Sequence, residues 1–376
     1  MENIHKIFLG NDRKGLPVFY ITHLSFGVCI LEASTRVGKT QVARNIVCYE
    51  AGKCYRPTIV FDYSGEWKYC KFANLQKPEG GYGIPHLKTY SDIVFKLSDF
   101  NRKTDWQSLG FPPGAARKLA EMVVEYLPYH EDNFDKFYAM MEMHPESFSR
   151  EWIYKRFESK FGFVPQKGIN KQSLASLLDR LPQFKYIFWD ADSQEEQTYV
   201  PHWGKELIEN RCIHVNYEMK TEDEKMIQRA RAVTGKILQQ ISDYAEGYNK
   251  KTYLELLHPL LVFEEADRVF PYMGPDAEIM PSSVLKINEF ITKKQKYGVE
   301  LLLIVQNVMM LHPSARENFH TWICGVGGTA SELIKYLQWD VDLGIREFIL
   351  VRKGKWQQQI FSPTIVPAML IKEHQA

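Results

Sequence analysis

The chain has almost no net charge: 47 lysines and arginines face 46 aspartates and glutamates over 376 residues, a formal balance of +1 at pH 7. No overall field therefore points to a nucleic-acid or membrane partner, and any basic surface has to be local. No apolar run approaches the ~20 residues that a bilayer-spanning helix needs, and the start, Met1-Glu2-Asn3-Ile4-His5-Lys6, lacks the pattern of a secretory signal. A soluble, cytoplasmic protein with no membrane span is expected. Six cysteines (Cys29, Cys48, Cys54, Cys70, Cys212, Cys324) are scattered without a Cys-x-x-Cys pair or a metal-ligand spacing to histidine, so they are expected as reduced thiols, several on buried strands. Internal repeats and low-complexity segments are missing as well. What the chain does have is length, enough for one large domain with an insertion or for two modest domains.

Residues 26–31 form an apolar run, a helix-like segment occupies residues 41–51, and between them stands Ala33-Ser34-Thr35-Arg36-Val37-Gly38-Lys39-Thr40, followed by Gln41. Strand, loop and helix in that order are what a phosphate-binding loop requires, because bare backbone N–H groups and a helix N-terminus then surround the anion. In that reading residues 33–41 hold the nucleotide, Lys39 neutralises the β and γ phosphates, and the Thr40 hydroxyl ligates Mg²⁺. Ala33 replaces the first glycine of the pattern, and Arg36 and Val37 occupy positions that are usually small. A chance Gly-Lys-Thr turn is the alternative, and the rest of the chain has to decide.

The remaining segments alternate in texture. Residues 7–20 read as a hairpin with a polar turn at 11–15; a second buried strand at 58–61 ends in Asp62-Tyr63-Ser64-Gly65-Glu66-Trp67. From about residue 92 to 200 long helix-compatible stretches, rich in aromatics and broken by Pro112-Pro113, Pro145, Pro165 and Pro182, read as a helical insertion rather than a sheet layer. Strands return at 211–217, 259–264, 300–306 and 321–325, with helices at 222–248 and 283–296, and a final hairpin joins 347–352 to 356–361. The expected fold is α/β with a mainly parallel sheet covered by helices. Residues 1–91 supply the first part of the core with its N-terminal hairpin, 92–205 the helical insertion, and 206–376 the second part with a C-terminal hairpin and tail.

A phosphate loop needs an acidic partner, since Mg²⁺ prefers oxygen ligands and an attacking water must be oriented. The apolar strand Leu260-Leu261-Val262-Phe263 delivers Glu264 and Glu265 to the sheet edge, where ligands of such sheets bind. Glu264 is the candidate metal residue and Glu265 the candidate base; two solvated glutamates are the plain alternative. Leu301 to Val305 is likewise apolar and ends in Gln306, a candidate γ-phosphate sensor.

Asp62-x-Ser64-Gly65-Glu66-Trp67, Glu264-Glu265-Ala266-Asp267 and Lys296-Tyr297-Gly298-Val299-Glu300-Leu301 leading to Gln306 resemble the HerA/FtsK superfamily of ring-forming, DNA-translocating ATPases. The resemblance covers residues 7–66 and 211–325. It implies a RecA-like P-loop fold with the sensor strand between the phosphate-loop and acidic strands, ATP and Mg²⁺ as cofactors, and double-stranded DNA as partner. It also implies a homo-oligomeric ring, a hexamer by preference. By position it assigns Lys39 and Thr40 to nucleotide and Mg²⁺, Glu265 to catalysis, Gln306 to sensing, and Asp62 and Glu66 to the second-strand acidic motif. Two departures stand out: Glu264 replaces the usual aspartate, and the family's arginine before the Lys-Tyr-Gly step is replaced in Lys293-Lys294-Gln295-Lys296. Lys294, Lys296 or Arg316 is then the candidate finger reaching a neighbouring subunit.

No β-barrel precedes the hairpin, which favours a stripped-down viral, plasmid or conjugative motor. Arg102, Lys103, Arg117 and Lys118 are candidate DNA contacts, each with ordinary surface charge as its alternative. A protein-secretion ATPase and a low-turnover nucleotide switch or scaffold remain open as other readings. A small-molecule kinase ranks low because it leaves Glu264, Glu265 and Gln306 unexplained.

Overall fold

The computed structural model describes residues 4–23, 28–53, 56–72, 87–143, 171–190, 193, 196–217, 224–251, 257–272, 299–327, 343, 346–352, 358–363 and 369–371. The strands are β1 (Ile4–Asn11), β2 (Pro17–His23), β3 (Val28–Glu32), β4 (Thr58–Asp62), β5 (Cys70–Phe72), β6 (Lys88–Tyr90), β7 (Ile93–Val94), β8 (Thr198–Tyr199), β9 (Cys212–Asn216), β10 (Leu260–Phe263), β11 (Glu300–Val305), β12 (Thr321–Gly325), β13 (Phe348–Arg352), β14 (Gln358–Pro363) and β15 (Met369–Ile371). The α-helices are α1 (Lys39–Val47), α2 (Lys103–Gln107), α3 (Pro113–Tyr126), α4 (Phe134–Met143), α5 (Lys171–Arg180), α6 (Trp203–Asn210), α7 (Glu224–Lys251), α8 (Ala266–Val269) and α9 (Pro313–Glu317). The helix expected at 283–296 lies outside the described residues.

Eleven strands form one sheet in the order β2-β1-β14-β13-β12-β3-β11-β10-β4-β9-β6. From β12 to β6 every pairing is parallel, while β13, β14, β1 and β2 extend the sheet antiparallel. The parallel strands β3, β4, β10 and β11 are buried at every position, as their near-continuous apolar sequences require once helices cover both faces. The candidate sensor strand β11 lies between β3 and β10, the order expected from the resemblance. The chain runs from β3 away to β4 and later returns to β12 on the other side of β3, which makes the carboxyl end of β3 a topological switch point.

Successive residues of each strand feed opposite faces. Ile59, Phe61, Leu261, Phe263, Leu301 and Leu303 pack with Val233, Ile237 and Ile241 of α7, and with Trp106, Leu119 and Trp203. Cys29, Leu31, Val60, Val262, Leu302 and Ile304 pack on the other face with Val42 and Ile46 of α1 and with Ile7, Leu9 and Val18 of the β1–β2 hairpin. The hairpin thus folds onto α1. Its Tyr20 donates to the buried Glu300 at the start of β11. Arg56 meets the same carboxylate at 2.6 Å, stands 3.6 Å from Glu50, and donates through Nε to the His258 carbonyl at 2.6 Å. This ionic cluster closes the end of the sheet opposite the phosphate loop.

Between residues 93 and 199 the described elements are helical apart from β7 and β8, whose parallel pairing forms a two-residue ribbon separate from the main sheet. Periodicity could not reveal this pairing because its strands are short and far apart in the chain. A buried lysine docks these elements on α7: Lys236 Nζ pairs with Asp105 at 2.7 Å, donates to the Asp99 carbonyl, and sits 4.5 Å from the Phe100 ring centroid. Arg102, a candidate DNA contact, instead pairs with Asp105 at 3.1 Å and Asp243 at 2.8 Å, and Arg117 pairs with Glu121 at 2.9 Å. No helix among the described residues is long and apolar enough to cross a membrane.

Candidate functional site

The loop from Ala33 to Gly38 leaves the buried end of β3 and turns into α1. Arg36, exposed, holds φ +64°, and Gly38 holds φ +109°, a conformation that side chains rarely adopt. No side chain caps α1, so the backbone N–H groups of its first turn face the loop. Lys39 folds back over the loop, donating to the carbonyls of Ala33 at 2.7 Å and Ser34 at 2.9 Å. Burial pulls the Lys39 ammonium below its ordinary range, opposed by Glu264, Glu66, Asp267 and Glu265 around it. Gln41, in the first turn of the helix, donates to Asn45 at 3.0 Å.

The loop packs against the end of β12 and the residue after it. Ser34 donates both its N–H, at 3.1 Å, and its hydroxyl, at 2.9 Å, to the Val326 carbonyl. Gly325 faces Ala33, Val37 and Phe348: a Cβ there would lie 2.8 Å from Ala33 Cβ and 2.9 Å from Phe348 Cε1. The missing side chain on Gly325 is what lets alanine stand at position 33 and valine, buried, at 37. Gly325→Ala is expected to lower stability by about 1–3 kcal/mol through overpacking, and Ala33→Gly to restore part of it; urea denaturation of the two single variants and the double variant checks this, and additive losses would contradict the shared contact.

Across the loop, Thr40 Oγ1 donates to Glu66 at 2.5 Å and stands 3.5 Å from Glu264 Oε1. The other oxygen of Glu264 accepts the Trp67 indole N–H at 2.9 Å. Asp62, fully buried, organises the turn after β4 by accepting from the N–H groups of Gly65 (2.8 Å) and Trp67 (2.9 Å) and from the Ser64 hydroxyl (3.1 Å). His214 on β9 lies 3.0 Å from Asp62 Oδ2 and, through its other nitrogen, 3.2 Å from the Thr89 hydroxyl. The second-strand motif thus divides its work: Asp62 shapes the turn, and Glu66 and Trp67 reach the site.

Glu265 stands at φ +51°, at the N-terminus of α8, and its carboxylate pairs with Arg268 at 2.7 Å. Burial raises the Glu265 carboxyl above its ordinary range, and Arg268 opposes that rise. Gln306 is exposed one residue past β11, whose Val305 carbonyl accepts the Ala33 N–H at 3.4 Å. The turn beyond it is held by Glu32, which accepts the Val308 N–H at 2.9 Å. Arg316 lies on α9 with Nη1 3.4 Å from Met309 Sδ; Lys294 and Lys296 lie outside the described residues. The structure therefore brings Lys39, Thr40, Glu66 and Glu264 together, with Asp62 behind them and Gln306 beside the loop. Nothing in the sequence marks Arg268, His214 or Gly325 for these contacts; only Trp67 carries a signal, as the last residue of the second-strand motif.

Glu264 is nearly fully buried, and burial pushes its carboxyl up to about 8; Trp67 opposes the shift, while Glu66 and Asp62 add to it. Between about pH 4.5 and 8 the folded protein therefore holds a proton that the unfolded chain has lost, so stability falls as pH rises through that window. Glu264→Gln is expected to flatten this slope and to raise the melting temperature at pH 8 in magnesium-free buffer. A pH series of melting curves for both proteins tests it; parallel slopes would sink it.

No family model matches the sequence, and no curated protein does. Solved structures do. VirB4 of Thermoanaerobacter pseudethanolicus matches at 16% identity over 96% of each chain, with a TM-score of 0.53. The bacterial conjugative coupling protein TrwB matches at 12% identity over 97% of this chain and 91% of its own, with a TM-score of 0.57. This is the RecA-like P-loop ATPase fold. A second structure of TrwB, solved with ADP and Mg²⁺, shares the fold at 12% identity and a TM-score of 0.55, over 93% of this chain and 87% of its own. At these identities the likeness is one of fold, and the resemblance to HerA/FtsK ATPases is borne out at that level.

Proposed function

We propose that this chain hydrolyses ATP and couples the energy to translocating double-stranded DNA, working as a homo-oligomeric ring, with a hexamer favoured. The observation that carries the proposal is the meeting of Thr40, Glu66 and Glu264 beside Lys39 at the carboxyl ends of the strands, in a fold shared with TrwB, which has been solved with ADP and Mg²⁺. The N–H groups at the start of α1 and the Lys39 ammonium hold phosphates. An all-oxygen donor set, the Thr40 hydroxyl with the Glu264 carboxylate, fits Mg²⁺, which takes one or two protein oxygens and completes its shell from phosphate and water. Bound there, the ion would supply neutralisation of charge developing on the phosphates. Glu265 orients and deprotonates the attacking water, and Arg268 favours the ionised form that this role needs. Gln306 reports the γ phosphate.

Grip on duplex DNA rests on phosphate contacts independent of sequence, with Lys103 and Lys118 as the remaining described candidates and Arg316, Lys294 or Lys296 as the finger toward a neighbour. A low-turnover switch is a second reading, favoured by the Glu265–Arg268 pair, which holds the base in an ion pair. Phosphate release with and without linear duplex DNA, combined with a solution mass measurement, separates the two. Stimulation by DNA in a multimer supports the motor. Strong DNA-independent turnover by a monomer sinks it, and nucleotide binding without sustained hydrolysis selects the switch.

A further inference from the structure

The two oxygens of Glu264 are engaged differently. Oε1 faces Thr40 Oγ1 at 3.5 Å, and Oε2 is held by the Trp67 indole at 2.9 Å. Trp67 is fully buried, so that N–H is shielded from solvent. Trp67 is held through both its backbone and its ring. Its backbone N–H donates to Asp62 Oδ2 at 2.9 Å, an oxygen also met by His214 at 3.0 Å. The Arg44 guanidinium lies over its ring, 5.7 Å from the centroid, and the same guanidinium donates to the Glu66 carbonyl at 2.8 Å. Helix α1 thus meets the ring, and strand β4, itself backed by β9, holds the backbone of the residue whose indole N–H touches the candidate metal residue.

We propose that Trp67 is the positioning residue for Glu264. By holding Oε2, the indole fixes the carboxylate so that Oε1 stays turned to Thr40 and available to a divalent cation. Support from the backbone and ring of the partner is how a ligand is held to a single orientation rather than left to rotate. The length of the side chain belongs to this arrangement: an aspartate at 264 would draw the carboxylate back by about one C–C bond, ~1.5 Å, and out of reach of the indole. Glutamate at 264 and tryptophan at 67 therefore work as a pair. The inference rests on the nucleotide-hydrolysing reading of the site and adds a residue to it.

The test is a cycle of Trp67→Phe, Glu264→Asp and the double variant, read by binding rather than by turnover. Mn²⁺ affinity in the presence of ADP is followed by electron paramagnetic resonance, and ADP affinity in EDTA by calorimetry. Trp67→Phe keeps an aromatic ring and removes the N–H; it is expected to weaken Mn²⁺ binding about 10- to 100-fold while leaving metal-free ADP affinity within about 2-fold. Glu264→Asp is expected to do the same, and the double variant to lose little more than either single one, because the contact is already broken. Should Trp67→Phe not fold, Glu264→Asp carries the test, since Trp67 is intact in it.

Wild-type Mn²⁺ affinity in either single variant, equal losses of metal-free and metal-dependent binding, or fully additive losses in the cycle would each overturn the proposal and leave the indole a packing group. A wild-type protein that binds ADP neither with nor without Mn²⁺ would overturn the nucleotide reading itself, a result distinct from failure of the variants alone.

Discussion

Replacing Glu265 by glutamine is expected to lower kcat for ATP hydrolysis by about 10²- to 10⁴-fold while leaving nucleotide affinity nearly unchanged. The substitution keeps the size of the side chain and a hydrogen-bond acceptor for Arg268, 2.7 Å away, so the turn at φ +51° has no new reason to distort. What is lost is the basic oxygen. In the proposed reading the nucleotide is held by the loop and α1 instead, which is why binding and turnover should separate. Phosphate release and fluorescent-nucleotide titration on the same preparation provide the check. A variant that hydrolyses ATP at the wild-type rate removes Glu265 from the chemistry and shifts attention to Asp267, whose carboxyl is raised by burial and whose charge acts on Lys39.

The largest effect on stability is expected far from that chemistry. Arg56 is 3% exposed and stands among Glu300, Glu50 and Tyr20 at the amino ends of β4, β10 and β11. Arg56→Met removes the cation and leaves two carboxylates in a site that water cannot reach, a change expected to cost about 3–5 kcal/mol. Burial already raises Glu300 above its ordinary range, with Arg56 the chief opposing group. Without Arg56 the folded-state value rises further, so the variant should lose stability as pH increases and recover part of it toward acid pH, where the carboxyls are neutral. Urea midpoints across a pH series test both the size and the sign. A loss below about 1 kcal/mol would mean that the cluster is solvated and that this end of the sheet is open.

The two sites illustrate which features a sequence exposes. Apolar runs ending in Asp62, Glu264 and Gln306 were legible because a parallel strand covered on both faces has a composition of its own and delivers its last residue to a predictable edge. The place of β11 between β3 and β10 followed from the Lys-Tyr-Gly-Val step and the resemblance it carries. The N-terminal and C-terminal hairpins were readable from their turns. By contrast, nothing local marks Trp67 as the partner of Glu264, 197 positions away, or Tyr20 as the partner of Glu300, 280 away. Such contacts exist only once the sheet has brought its strands together.

The same reason explains why Ala33 and Val37 looked like defects of the loop: the glycine that accommodates them is Gly325, on another strand. Arg102 shows the same limit. Its charge was visible, but the carboxylates of Asp105 and Asp243 that take it up were not.

Lys236 sets a mechanical condition on whatever work the protein performs. Its ammonium is buried against Asp105, the Asp99 carbonyl and the face of Phe100, so baring it requires separating a charge pair inside a low-dielectric seam. A joint of that kind does not slide in small steps. The elements around Phe100 and Trp106 are welded to α7, and a displacement of that helix will carry them with it as one stiff arm.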